Sequence, residues 1–294
     1  MNFKPLNVIT GHVGAIYDVA QKEGVKAFTT SADKYVVRWD LNSGSQDKFA
    51  VKLDHSGFKI ALSPSYNLLV IGNAKGGLHI IDLVSKKEVR FLTQHKNPIF
   101  SISFNEATNE CYTGDAEGYF CVWDADSFDL KLTFPLNCGK IRNIAVNETG
   151  DNIAVCGQDG MVRIFETQFF NEIQKFKGHS TGVNCAVFNQ DLLITGGKDA
   201  LITKWNWREG SKIKSIPAHN YAVYDLMFLK EKKILISASF DKTIKIWNSN
   251  SLDIIKRIEK KDGGHQHAVN RLAKINEEKF LSVSDDKQLI LWGL

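Results

Sequence analysis

The sequence of 294 residues predicts an all-β chain, a seven-bladed β-propeller with four-stranded antiparallel blades and a ring closed by the N-terminal strand joining the last blade. Three observations lead there. A large apolar residue followed by an acid, an amide or glycine recurs at Trp39, Ile81, Trp123, Phe165, Trp205, Trp247 and Trp292, with spacings of 42, 42, 42, 40, 42 and 45. Between those positions run short stretches of strand-forming residues punctuated by turn signals. A helical period of 3.6 residues never holds over a useful length.

Ahead of Gly11-His12 lies a spare strand-like run, Phe3–Thr10, and the chain stops at Leu294, just past the third strand of the seventh unit. The run is expected to supply that unit's missing outer strand and so remove an exposed edge. The first unit reads as four strands, Ile16–Ala20, Val25–Thr30, Tyr35–Trp39 and Gln46–Val51, with turns at Lys22-Glu23-Gly24, Ala32-Asp33-Lys34 and Asn42-Ser43-Gly44. The second unit drifts: Leu53, Lys75 and Ile81 stand where others carry histidine, aspartate and tryptophan, while Ser63-Pro64 fixes its register. In the third unit Glu117 stands in the turn position, and the fourth has Asn137 and Phe165. The sixth is the most regular, Ile234, Ile236 and Ala238 alternating on one arm and Ile244 and Ile246 on the other, around Phe240-Asp241-Lys242-Thr243. Before Trp292 the polar stretch from Glu259 to Gly264 absorbs the longer spacing as a loop. The repeats are expected near 11–52, 53–93, 94–135, 136–176, 177–216, 217–259 and 260–294 plus 1–10, forming one domain over 1–294. A sheet of this size is apolar on both faces, and packing seven of them radially buries both.

Composition fits a soluble globular chain, with 43% hydrophobic and 24% charged residues. A net charge of +4 is too weak a bias to argue for nucleic acid or a membrane surface. The N-terminus has no signal-peptide pattern, and no apolar run approaches the ~20 residues that span a bilayer. The five scattered cysteines read as reduced thiols packed as small hydrophobes. The expected location is cytoplasmic.

Gly11-His12 with Trp39-Asp40, Gly178-His179 with Trp205-Asn206 and Gly264-His265 with Trp292-Gly293 resemble the glycine-histidine and tryptophan-aspartate signatures of WD-repeat β-propellers. The resemblance covers essentially the whole chain. It implies a structural tetrad in repeats one, six and seven: His12, Ser31, Asp33 and Trp39; His219, Ser239, Asp241 and Trp247; His265, Ser284, Asp286 and Trp292. Each would be a buried hydrogen-bond chain from the turn aspartate to the indole N–H. A serine, histidine and aspartate also make up a catalytic triad, but a nucleophile needs access and an oxyanion hole. Three copies in one ring suit a brace.

In the resembled family, partners often contact the third and fifth residues after the histidine and the residue before the turn aspartate. Mapped here, these positions give Tyr17, Phe58 and Phe100 in repeats one to three, Lys140 and Arg142 in the fourth, and Asn184 and Lys198 in the fifth. The last two repeats give Tyr224 and Phe240, then Asn270 and Asp285. Small neighbours, Ala15, Ala32, Ala74, Ala116 and Ala222, leave the aromatic rings accessible, and the cations form a basic sector. Aromatic residues beside arginine are what binding hot spots are made of. The reading is a non-catalytic protein–protein interaction scaffold that binds a protein or peptide, one bearing an acidic group, on the top face. It is expected to be a monomeric propeller within a larger complex.

One alternative is a propeller enzyme with its site at the channel mouth. It would need converging ionisable groups, and the mapped set offers Asp285 as its carboxylate and no histidine. A nucleic-acid-associated subunit is the other; it would want a stripe of basic residues interleaved with aromatics, whereas Lys256, Arg257, Lys260 and Lys261 are diluted by Glu259 and Asp262. No metal is expected: His265-Gln266-His267 lacks a completing ligand set. No cofactor is expected either, because the paired glycines lack the phosphate-loop pattern.

Overall fold

The computed structural model describes residues 3–21, 24–63 and 67–293. The turn expected at Lys22-Glu23-Gly24 lies largely outside them, as do Pro64 and Leu294.

The chain is an all-β, seven-bladed propeller of four-stranded antiparallel sheets. The first blade runs Ile16–Gln21, Lys26–Ser31, Tyr35–Asp40 and Gln46–Lys52, adjacent in that order, each strand within a residue or so of its expected bounds. Inner strands of the following blades are Gly57–Leu62, Ile99–Asn105, Ile141–Val146, Val183–Asn189, Val223–Leu229 and Val269–Lys274. Second strands are wholly buried in several blades, as in Leu68–Asn73 and Ile234–Ser239, whereas fourth strands such as Leu130–Pro135 are mostly exposed. That gradient is why near-continuous apolar runs fall on second strands and charges on fourth strands. A strand covered on both faces cannot alternate.

The seventh blade is completed from the other end of the chain. Lys4–Ile9 pairs antiparallel with Leu289–Gly293, Ile9 opposite Leu289 and Lys4 opposite Gly293. Phe3 is buried beside Phe280 and Trp292, and its carbonyl accepts a hydrogen bond from Lys256 Nζ at 2.8 Å. The expected loop before this blade is in part a 3₁₀ turn, Lys260–Asp262, ended by Gly263 in a left-handed conformation.

By contacts the chain divides into two units, residues 1–62 with 224–294, and residues 63–223. Within the first, the inner strand Ile16–Gln21 lies beside Gly57–Leu62 and Val269–Lys274. Within the second, Ile141–Val146 lies beside Ile99–Asn105 and Val183–Asn189.

Each hairpin between second and third strands turns through one residue with positive φ: Lys34, Gly76, Gly118, Gly160, Ala200, Lys242 and Lys287, with φ between 67° and 86°. A side-chain carboxylate makes this tolerable where the residue is not glycine. Asp33 Oδ1 accepts the amide of Tyr35 at 3.0 Å, and Asp286 Oδ1 that of Gln288 at 3.1 Å, each closing the turn around its strained residue.

Candidate functional site

A hydrogen-bond chain braces each tryptophan-bearing blade. In the first, Trp39 Nε1 donates to Thr29 Oγ1 at 2.7 Å, Thr29 Oγ1 lies 2.7 Å from His12 Nε2, and His12 Nδ1 lies 2.8 Å from Asp33 Oδ2. The chain is self-consistent with the histidine proton on Nδ1, since the threonine hydroxyl then donates to Nε2. The seventh blade repeats it through Ser282, His265 and Asp286, and in the sixth Trp247 Nε1 donates to Ser237 at 2.9 Å.

The hydroxyl is therefore not the one expected. Ser31, Ser239 and Ser284 instead accept the backbone amide of the turn aspartates Asp33, Asp241 and Asp286, at 3.2, 3.0 and 3.1 Å. The reason is strand geometry. Trp39 faces Ala27 across the hairpin, so Thr29 is its diagonal neighbour, and Ser31 lies one pleat repeat, roughly 7 Å, further along.

Two complete chains were not among the expected tetrads. The third blade links Trp123, Thr113, His95 and Asp115, and the fifth links Trp205, Thr195, His179 and Asp199. In the third blade Asp115, two residues before Glu117, takes the histidine and closes the turn by accepting the amides of Glu117 and Tyr119. In the second blade Asn73 holds that place, accepting the amides of Lys75 and Gly77. The sequence carries a legible signal: a hydroxyl ten residues before each blade-closing tryptophan, at Thr29, Thr113, Thr195, Ser237 and Ser282. The two blades without tryptophan carry buried Ile71 and Val155 there.

The second residue of each inner strand is Tyr17, Phe58, Phe100, Arg142, Asn184, Tyr224 or Asn270. The pairing register slips across Tyr17, Phe100, Arg142, Asn184 and Asn270. Such a slip takes the residue out of the ladder and re-aims its side chain. Five of these strands thus give their second residue the same backbone irregularity with different chemistry.

In the unit of residues 1–62 and 224–294, Tyr17 and Phe58 meet edge to face with ring centres 5.1 Å apart. Tyr224 and Phe240 do so at 5.9 Å, and Phe240 keeps 48% of its surface exposed. Asp285 accepts a hydrogen bond from Asn270 Nδ2 at 2.8 Å. Burial, and then the charge of Asp285, raise the pKa of the Tyr17 phenol. In the unit of residues 63–223, Lys140 Nζ and the Arg142 guanidinium lie over the Phe100 ring at 5.4 and 5.0 Å. Lys198 is exposed at the turn of the fifth blade.

Asn184 and Asn270, expected to contact partners, have their amide nitrogens committed elsewhere. Asn184 Nδ2 donates to Val223 O at 2.9 Å, and Asn270 Nδ2 to Ile16 O at 2.8 Å as well as to Asp285. Both follow from the residue after them. In the first, third, fourth and sixth blades the third residue of the inner strand accepts an amide of the next blade: Asp18 from Ile60, Ser101 from Ile144, Asn143 from Ala186 and Asp225 from Leu272, at 2.8 to 3.1 Å. In the fifth and seventh blades that third residue is Cys185 or Arg271, and the preceding asparagine makes the strap instead.

Among the described residues no group of three or more His, Cys, Asp or Glu side chains is placed to hold a metal ion. All five cysteines are free and buried. No helix among them is long and apolar enough to cross a membrane.

The family model for the WD domain, G-beta repeat matches residues 86–124, 129–166, 170–206 and 210–248, ending with the third to sixth blade-closing residues and the polar residue after each. WD repeat-containing protein 55 of Rattus norvegicus is 22% identical over 277 residues, 92% of this chain and 72% of that protein. Kinesin-like protein KIF21B of Homo sapiens is 24% identical over 299 residues, 90% of this chain but 18% of its own length. Telomerase protein component 1 of Mus musculus is 23% identical over 230 residues, 74% of this chain and 8% of its own length. The chain thus aligns with most of the first of these proteins and with a small part of the other two. With repeat matches over more than half its length and the blade architecture those repeats imply, the chain belongs to the WD-repeat family.

Proposed function

We propose that the chain is a non-catalytic interaction scaffold, one propeller domain that binds a protein or peptide partner through the rim at the start of its inner strands. The observation that carries this reading is the register slip at Tyr17, Phe100 and Arg142, which turns large aromatic and guanidinium side chains out of the ladder. Tyrosine and arginine are enriched among residues that dominate binding energy, and nothing in blade construction requires them there. In residues 63–223 the partner's contribution is an acidic group: Lys140 and Arg142 over Phe100 present two cations on an apolar base, and carboxylates or phosphates form charge-assisted, bidentate bonds with arginine. WD-repeat proteins are in general interaction modules, which favours the same reading. The place of action is the cytoplasm, where buried thiols stay reduced, and the propeller works as a monomer inside a larger assembly.

Affinity capture with the tagged full chain tests this. Phe100→Ala and Arg142→Glu should each lower recovery of specific partners at least about tenfold, the loss expected for a hot-spot residue, with the melting temperature unchanged. Unchanged recovery would move the binding surface to the blade edges or the opposite face.

A further inference from the structure

The rim of residues 1–62 and 224–294 has a chemistry opposite to that of the Lys140–Arg142 sector. Tyr17 with Phe58 and Tyr224 with Phe240 form two edge-to-face pairs. The Arg271 guanidinium reaches both Tyr224 O, at 3.4 Å, and the carboxylate of Asp18, the residue after Tyr17, at 3.6 Å. Asn270 reaches Ile16 O and Asp285. The two aromatic pairs therefore border one stretch of rim, with Asn270 and Asp285 of the seventh blade between them.

The charges here do not simply cancel. Lys59 pairs with Asp18 at 2.9 Å, and Arg271 with Asp18 and Asp225 at 3.6 and 3.4 Å. Two cations thus answer two carboxylates, the buried Asp18 and the half-buried Asp225. Asp285 is a third carboxylate, in no ion pair among the described residues, and it is held in place by the Asn270 amide at 2.8 Å. Its charge is felt at the Tyr17 phenol. Ring faces attract cations through their quadrupoles, and a carboxylate alongside supplies full charge. Phe100 shows that a ring at this strand position accepts cations, since Lys140 and Arg142 of the chain itself lie over it at 5.4 and 5.0 Å.

We propose that Tyr17, Phe58, Tyr224, Phe240 and Asp285 bind the side chain of a lysine or arginine on a partner protein. The inference rests on the scaffold reading above and names the partner chemistry for this part of the rim. The cationic head lies against the ring faces beside Asp285, and the methylene stem covers the remaining apolar surface. Asn270 acts as a positioning residue, fixing the Asp285 carboxylate through one amide proton while strapping Ile16 with its amide group.

The test is a titration of the full chain, with tyrosine and phenylalanine rings ¹³C-labelled, by capped tripeptides: glycyl-lysyl-glycine, glycyl-arginyl-glycine and the same peptide with norleucine or glutamate in the middle. Saturable shifts of the Tyr17 and Tyr224 ring signals are expected with lysine or arginine, and their relative affinities identify which cation fits better. Norleucine and glutamate peptides should bind about tenfold more weakly or not at all. Asp285→Asn keeps an oxygen for Asn270 and should weaken lysine or arginine binding about tenfold; Phe240→Ala, at an exposed ring, should do likewise without changing the melting temperature. Norleucine binding as tightly as lysine would reduce the site to an apolar patch and overturn the proposal. So would unaltered affinity in Asp285→Asn, or no ring shift with either cationic peptide. If the cationic peptides fail while partner capture is still lost in Arg142→Glu, the scaffold reading stands and the cation site falls.

Discussion

In residues 1–62 and 224–294 the third residues of the inner strands are Asp18, Lys59, Asp225 and Arg271, whereas in residues 63–223 they are Ser101, Asn143 and Cys185. Asp18 and Asp225 accept an amide of the next blade at 2.8 Å, and Ser101 and Asn143 do the same at 2.9 and 3.1 Å. One structural task is thus met by two chemistries with different liabilities. A neutral acceptor needs only its donor. A buried carboxylate also needs counter-charge, which Lys59 and Arg271 provide from the equivalent position of neighbouring blades. Even so, Asp18 Oδ1 has no hydrogen-bond partner among the described residues and faces Arg271 at 3.6 Å. At this inner-strand position the first unit is consequently the one in which a single substitution strands a charge.

The largest expected effect falls on that unit for another reason: its seventh blade depends on the chain's opposite end. Deleting residues 1–9 removes the strand paired with Leu289–Gly293 and two buried side chains, Phe3 and Ile9. Their burial alone is worth about 4 kcal/mol at ~2 kcal/mol each, so thermal melting should drop by ten degrees or more. An unchanged melting temperature would mean that the strand is decoration. Arg271→Met comes next. It leaves Asp18 and Asp225 sharing Lys59, and the cost should be about 3 kcal/mol, the low end for a broken buried pair because Arg271 keeps 16% of its side chain exposed. Ser101→Ala, at the matching place in the second unit, orphans the Ile144 amide and should cost about 1–2 kcal/mol by chemical denaturation. Equal losses in these two variants would erase the distinction between charged and neutral straps.

Much of this was legible because the repeat is strict where packing is strict. Each tryptophan fills a fixed space, and Trp39, Trp123, Trp205, Trp247 and Trp292 keep their spacing to within a few residues even where the intervening loop grows. The hydrogen-bonded hydroxyl was misplaced from Thr29 to Ser31 because both lie on the same face of one strand and only the hairpin register separates them. His95 is hard to recognise in the sequence because its repeat places the turn acid at Asp115 instead of at the position of Glu117. The left-handed turn residues Lys34, Lys242 and Lys287 have no sequence signal of their own; a neighbouring aspartate makes them possible. At the rim the sequence carries no sign of the register slip, nor of the straps that the Asn184 and Asn270 amides make to the next blade. A backbone irregularity leaves no mark in composition. The alternation of Asp18, Lys59, Asp225 and Arg271 was there to be read, but its meaning needs to be seen as neighbours across blades.

Acid separates the two units by a smaller effect, and its sign follows from the carboxylates. Burial alone would raise Asp33, Asp199 and Asp286, but the hydrogen bond and charge of the paired histidine outweigh it and hold each below the ordinary range, Asp199 down to about 2 from 3.8. A carboxyl depressed in the folded state contributes stability that is present above about pH 4 and is lost as pH falls through about 2. Asp225 works the other way: burial raises it, only partly offset by Arg271, so folding takes up a proton there and its contribution grows as pH falls towards about 4 and is constant below that. The inner strands of residues 63–223 have the neutral Ser101 and Asn143 in that place. Between about pH 6 and 4, before the depressed carboxylates titrate, amide-exchange protection in residues 1–62 and 224–294 should therefore rise relative to that in residues 63–223, after correction for intrinsic exchange rates. Asp225→Asn removes that titration and should bring the two slopes together. Parallel slopes in the unaltered protein would show that the buried carboxylate of the sixth blade stays ionised throughout, its counter-charges fully compensating its burial.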